Sequence, residues 1–269
     1  MSKPIRITKK QWAKYIDILR KLQDRAADEM AAFAELPQVK ALTGWEYSQT
    51  LIDYGLALAT KYGEGATAVV CDWYDAIAMA EGMDLIPAVP AKTATYSDIA
   101  KAVNGTLKTS QDPEMIGSAV GRWVKMAGVD TLMQNALRDG AEWAWIPQGE
   151  TCAFCLTLAS QGWQPASLKA IKNGHAEHIH ANCDCTYAVR FSDNVDVEGY
   201  DPQEYLDMYK YYTDENGERK LRPGSAKDKI NGMRREFYDQ NKEKINAQKR
   251  AVYEKMKERN SSAAEEVDV

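Results

Sequence analysis

Apolar residues recur at steps of three and four through Trp12, Tyr15, Ile16, Leu19, Leu22, Ala26, Met30 and Phe33, and Pro37 closes the pattern. That period lays one apolar stripe along a helix of several turns. Two further helices, rich in alanine, are expected over residues 44–61 and 66–81. Gly63 and Gly65 are read as the break between them, because glycine costs a helix interior more than any residue except proline. The aromatics of these segments (Trp45, Tyr47, Tyr54, Trp73 and Tyr74) are assigned to core packing. Their alanine faces allow close helix approach, so the first third of the chain reads as a helical bundle.

The pattern then loosens. The stretch MDLIPAVPAKTATYS at 83–97 carries two prolines and few charges and reads as an extended linker. A helix is expected to begin near Ser97. Asp112 followed by Pro113 is a helix start, with the Asp as N-cap and the Pro at the first helical position. Asp130 is read as the cap of another, short helix that Gly140 ends. AEWAWIP alternates around Trp143 and Trp145 like a strand, CLTLASQGW suits a short helix, and CTYAVRF alternates like a returning strand. Near the end, Ile230, Met233, Phe237, Ile245, Val252 and Met256 follow one narrow stripe, interrupted by Asn241 and Gln248. A helix over 226–259 would be roughly 50 Å long, with too thin a seam to bury much. Residues 260–269, NSSAAEEVDV, are expected to be disordered.

The predicted fold is therefore α+β and mostly helical. It comprises an N-terminal helical region (1–95), a small α+β module (96–192), and a basic helical tail with an acidic end (193–269).

Charge sharpens the last boundary. The whole chain carries −5. From Arg219 to Arg259 there are 14 Lys/Arg and 6 Asp/Glu, a local +8, and the last ten residues hold three acids. Residues 1–218 therefore sum to −5 − 8 + 3 = −10. An acidic body carries a basic arm. Such an arm attracts an acidic protein surface or nucleic acid in a salt-dependent way. The acidic body argues against a DNA-binding regulator with a large phosphate-contacting face. No run of about 18 apolar residues exists, so no membrane span is expected.

Candidate chemistry is concentrated in one window. Four of the five cysteines and all three histidines lie between Cys152 and Cys185. The N-terminal MSKPIRITKKQW lacks the apolar core of a signal peptide. A reducing cytoplasm is thus expected, where clustered cysteines bind metal more often than they form disulfides. Cys152-x2-Cys155 has the spacing of a zinc knuckle, and His180, Cys183 and Cys185 complete five candidates for four positions. If 183–185 is extended, Cys183 and Cys185 share a face and a four-cysteine site results. If only one of them reaches the ion, His180 is the fourth ligand. Cys71, inside an alanine-rich run, reads as a core residue.

The competing readings are weaker. A redox CxxC needs a βαβ context, which is not visible around residue 152. His175-x-Glu177 resembles half of a zinc deaminase signature, but the CxxC precedes it and no proline stands before the first cysteine. No Ser/His/Asp set, phosphate-binding loop or paired-acid motif stands out. A closed, thiolate-rich set points to structural Zn2+ rather than catalysis.

W-x-W, then C-x2-C, a spacer and H-x2-C-x-C before a closing strand resembles the C-terminal module of MuF-like phage head morphogenesis proteins. The segments TKKQWAKYIDILRKL, LATKYGEGATAVVCDWYDAIA and PAKTATYSDIAKAVNGTL are similar to the minor head proteins of that group. The resemblance covers roughly residues 5–192. Ala181 stands where members carry a proline, and Asp184 where they carry a basic residue. The resemblance implies a non-enzymatic minor capsid protein of the virion head, present in the host cytoplasm during assembly. It would associate with the portal, scaffold or major capsid protein, with packaged DNA as a further contact for the tail. The alternative is a zinc-dependent enzyme acting on nucleic acid.

Overall fold

The computed structural model describes residues 5–84, 86–148, 152–167 and 185–265, with the backbone alone at 244–245, 248–249, 251–253 and 255–265. Two compact units emerge. One comprises residues 1–151 with 161–202, and the other 152–160 with 203–269. The described residues are mostly helical with short strands, as the pattern predicted.

The first unit is built on three long helices. Helix α1 (Lys9–Ala34) starts at a capping box, in which Thr8 Oγ1 accepts from Gln11 N–H and the Gln11 side chain accepts from Thr8 N–H. This reciprocal pair satisfies two backbone donors that the first turn leaves open. Its stripe buries Trp12, Tyr15, Ala26, Met30 and Ala34. After the single turn α2 (Pro37–Lys40), α3 runs unbroken from Gly44 to Ala80. The expected break at Gly63 and Gly65 is absent. Gly63 is buried in the helix because a neighbour needs its space: a Cβ there would come within 3.0 Å of Thr93 Cγ2. Packing overrides the local propensity.

Helix α4 (Tyr96–Leu107) begins at a second capping box, Thr95 with Asp98. Helix α5 (Pro113–Asp139) starts as expected, with Asp112 Oδ1 accepting from Glu114 N–H and Pro113 in the first turn. It ends at Gly140, whose φ of 66° is left-handed. Asp130, however, caps nothing. It sits inside α5, because burial of Ile116, Val120, Val124, Ala127, Thr131 and Leu132 carries one helix past it. Helices α1 and α5 approach so closely that a Cβ at Gly117 would overlap the Ala27 carbonyl oxygen. Helices α4 and α5 share their core with α1 and α3, with Ile99, Val103, Val120 and Val124 meeting Met30, Leu51 and Leu58. The bundle therefore extends well past residue 95.

Among its described residues the 83–97 stretch has no regular structure before α4, yet it is fastened. Val89 N–H donates to Asn135 Oδ1 at 2.9 Å, and Asn135 Nδ2 donates back to the Val89 carbonyl at 2.8 Å. Ala91 N–H reaches Thr131 Oγ1, and Ala88 N–H reaches Asp75. The Arg138 guanidinium donates to the carbonyls of Ile86 and Pro87. These bonds satisfy backbone groups that a strap against helices would otherwise leave unpaired.

A three-stranded sheet follows, in the order β3–β2–β4 (Gln164–Pro165, Glu142–Ile146, Thr186–Arg190). The β2–β4 pair is antiparallel, Glu142 opposite Arg190 and Ile146 opposite Thr186. Tyr187 is buried edge-on between Trp143 and Trp145. Ala144 and Ala188 are buried as well, so both faces of the pair are covered. The sheet thus brings apolar packing of its own. The first strand β1 (Ile5–Ile7) pairs in parallel with β5 (Val195–Val197), an association with no local signal in the sequence.

The second unit contains α6 (Ala153–Ala159), α7 (Pro202–Lys210), the hairpin β6–β7 (Tyr211–Thr213, Arg219–Leu221) and α8 (Ala226–Glu265). The hairpin and α7 lie in what the sequence suggested was only a helical tail. Arg222 is buried just after β7. Its Nε donates to the Met208 carbonyl, and its two terminal nitrogens grip Glu236 of α8 at 2.5 Å each. Met233 is buried beside this pair in sequence, while Ile230 and Phe237 are half-buried. The first three turns of α8 are therefore packed into their own unit.

Candidate metal centre

The knuckle sequence folds around the start of α6. Cys152 is its N-cap residue, with extended φ and ψ, and its carbonyl accepts from Leu156 N–H at 3.0 Å. Cys155 lies in the first turn and is buried, as are Ala153, Leu158 and Ala159. Cys152 is half-buried. In the first unit, Cys185 is buried directly before β4. None of Cys71, Cys152, Cys155 and Cys185 is in a disulfide.

His180 and Cys183 lie outside the described residues, as do His175, Glu177 and His178. Among the described residues, no three His, Cys, Asp or Glu side chains are grouped to hold an ion. The donors that are described suit zinc chemically. They are thiol sulfurs shielded from bulk water, with no hard oxygen set of the kind magnesium or calcium requires. Cys71 behaves differently. Burial, and then the charges of Asp75 and Asp72, push its thiol above the usual range, so it stays protonated and inert.

One ionisable group was misread from sequence. Asp130, taken for a helix cap, faces a cavity in the first unit lined by Lys92, Thr93, Asp98, Trp123 and Gln134. Burial, reinforced by the Asp98 charge, pushes its carboxyl up to about 6. The polar groups around it come from the strap, the first turn of α4 and the middle of α5. A carboxylate in a helix interior with apolar neighbours at i−3 and i+2 was the available signal (Ala127, Leu132). Elsewhere, strong ionic contacts tie elements together. Tyr74 donates to Asp139 at 2.8 Å, and Asp139 is chelated by Arg138. Glu81 accepts from Phe191 N–H and the Ser192 hydroxyl, holding the strand-β4 end to α3.

Residues 6–212 match the sequence model of the VG15 protein family. The chain belongs to the VG15 family. This is a phage-associated family of viral gene products, which makes the chain a phage protein. No curated protein and no solved structure matches it. The VG15 match begins in β1, takes in the bundle, the sheet and the knuckle, and stops inside β6. Helix α8, with 11 of the 14 Lys/Arg of the basic arm, lies beyond it.

Proposed function

We propose that this VG15 protein is a structural, non-enzymatic component of a tailed-phage head, a minor capsid protein of the MuF-like kind. It joins the portal, or the scaffold and major capsid protein lining the procapsid, in the host cytoplasm and remains in the virion head. The family match carries this reading, together with W-x-W, C-x2-C and H-x2-C-x-C in MuF-like order. Quantitative mass spectrometry of purified procapsids and mature heads tests it directly. A few copies per head are expected, whereas absence from both particles overturns the assignment.

Within that role, Zn2+ is a folding staple held by Cys152, Cys155 and two of His180, Cys183 and Cys185. A structural zinc supplies folding free energy, since the unfolded chain has no preformed site. The buried thiols of Cys155 and Cys185 support the choice of metal. Elemental analysis of protein purified under reductant should return about one zinc per chain. The Cys152→Ser variant should lose the metal and expose residues 152–167 to proteolysis while α1, α3 and α5 keep their melting transition. Metal-free wild-type protein would sink this part of the proposal.

The basic tail is the docking arm, with an acidic portal surface as its partner before packaged DNA. A chain ending at Asn194 is a poor test, because the cut removes the strand β5 that pairs with β1. A chain ending at Asn241 keeps Met233 and the Arg222–Glu236 pair and removes seven of the eleven Lys/Arg of α8. That variant should fold normally and enter heads in reduced number. Phe237 is half-buried in its own unit, so Phe237→Ala would confound folding with docking. Reversal of Lys242 and Arg250, both exposed, removes charge from the arm without touching its buried anchor.

A further inference from the structure

Helix α3 has an outer face that nothing in the first unit covers. Over its second half the exposed positions are Glu64, Ala68, Asp72, Ala76, Met79 and Ala80, at helical steps of four and three. Met79 is 78% exposed, and the strap beyond it adds Ile86 at 70%. From Tyr62 to Ala91 there are five Asp/Glu and no Lys or Arg. Glu64, Asp72 and Asp84 are exposed and form no ion pair among the described residues. Arg138 of α5, which binds the strap, is already engaged by Asp139 and by the carbonyls of Ile86 and Pro87. The result is an acidic helix face with small residues at its centre and an apolar end.

The chain also contains a segment of complementary character. Between Asn241 and Arg259, α8 carries seven Lys/Arg against three Asp/Glu. The sequence spaces Ile245, Val252 and Met256 at helical intervals among those bases. At 1.5 Å per residue, Lys242 to Arg259 spans about 26 Å and Glu64 to Met79 about 22 Å. The lengths match, the charges oppose, and alanines on the receiving face permit close helix approach.

We infer that the outer face of α3 receives the basic second half of α8 from another copy of this chain. The contact is heterologous, because the two surfaces differ, and it generates a ring or a short head-to-tail array. It is independent of the portal reading: purified protein associates with itself in the absence of any other head protein.

Sedimentation velocity of the full chain over about a hundredfold concentration range tests this by mass action. In about 50 mM NaCl the chain should shift from monomer to dimer and larger species, and in about 500 mM salt it should return to monomer. Glu64→Lys with Asp72→Lys alters only exposed side chains, and so does Lys242→Glu with Arg250→Glu. Each double variant should weaken self-association at least about tenfold while its circular dichroism stays unchanged. Mixing the two should restore a one-to-one complex, since one supplies an intact basic helix and the other an intact acidic face. Two charge-reversed variants that remain monomeric on mixing overturn the inference. So does wild-type chain that stays monomeric throughout at low salt, which would point to a tail docked within its own chain or awaiting another partner.

Discussion

Helices α3 and α8 have nearly the same length, 37 and 40 residues, yet they are held by different means. Thirteen residues of α3 are buried, among them Gly55, Gly63, Ala59 and Ala66, and small side chains let its neighbours press against its backbone. Along α8 the buried hydrophobic among the described residues is Met233, and the helix is anchored near its start by one bidentate Arg–Glu pair. Burial along a whole face makes a helix a cooperative part of the fold. A helix with few buried groups leans more on local pairs, worth only a few tenths of a kcal/mol each. The contrast predicts that damage to the bundle is global and damage to α8 is local.

The strongest break of that contrast is Gly117→Val. Its side chain would have to occupy the position of the Ala27 backbone, and backbone between two packed helices has little room to yield. A loss of about 3 kcal/mol or more is expected, enough to unfold a marginal domain. Urea denaturation followed by tryptophan fluorescence measures it. A loss under about 0.5 kcal/mol would mean that α1 and α5 are not in contact there.

Arg222→Ala should act on the other unit alone. The guanidinium is buried and its partner Glu236 is about two-fifths exposed, so removal should cost about 1–3 kcal/mol, less than breaking a fully buried pair. Hydrogen exchange should show faster opening across 203–241 and unchanged protection in α1, α3 and α5. Equal loss of protection in both units would erase the distinction drawn between them.

These two sites also show what the sequence made legible. The first helix and the Asp112–Pro113 start were readable because periodicity and capping are local, whereas the capping boxes at Thr8 and Thr95 went unread although their signals are just as local. Gly63 was misread because its reason for being there, Thr93, lies thirty residues away. Asp130 resembles an N-cap until the burial on both sides of it is known. The β1–β5 pair joins three-residue strands from opposite ends of the first unit, and no window of sequence contains it. The β6–β7 hairpin, by contrast, did carry a signal. Asn216-Gly217 follows the β-prone Tyr211-Tyr212-Thr213, with Asp214 accepting from two turn amides and Gly217 at φ 79°. Of the candidate site, the structure puts Cys152 and Cys155 at the start of a helix and Cys185 just before a strand, near the short helix and the returning strand that the pattern predicted. His180 and Cys183 fall outside the described residues.

A smaller effect separates packing from charge inside the bundle. The carboxyl of Asp130 is raised to about 6 by burial and by Asp98. A raised acid binds its proton more tightly when folded, so its contribution is fully present below the unfolded value near 4 and is lost as pH rises through 6. Asp130→Asn keeps the shape and removes the titration. It should stabilise the first unit by about 1–3 kcal/mol at pH 8 and by almost nothing at pH 3.5. A gain of equal size at both pH values would assign the effect to hydrogen bonding rather than to the buried charge.

The smallest predicted effect concerns a glycine with no neighbour. Gly105 lies inside α4, and a Cβ there would meet nothing within 4 Å. Unlike Gly63 and Gly117, it has no packing reason to lack a side chain. Glycine costs a helix about 0.5–1 kcal/mol relative to alanine, through the freedom its backbone gains on unfolding. Gly105→Ala should therefore raise stability by about that amount and shift the thermal midpoint upward by a few degrees. Because α4 packs on α3 and α5, the gain should appear in the melting of the whole bundle. If the same substitution destabilises the chain, the exposed side of α4 at Gly105 is occupied by something besides solvent, and the docking surface of the first unit extends beyond α3.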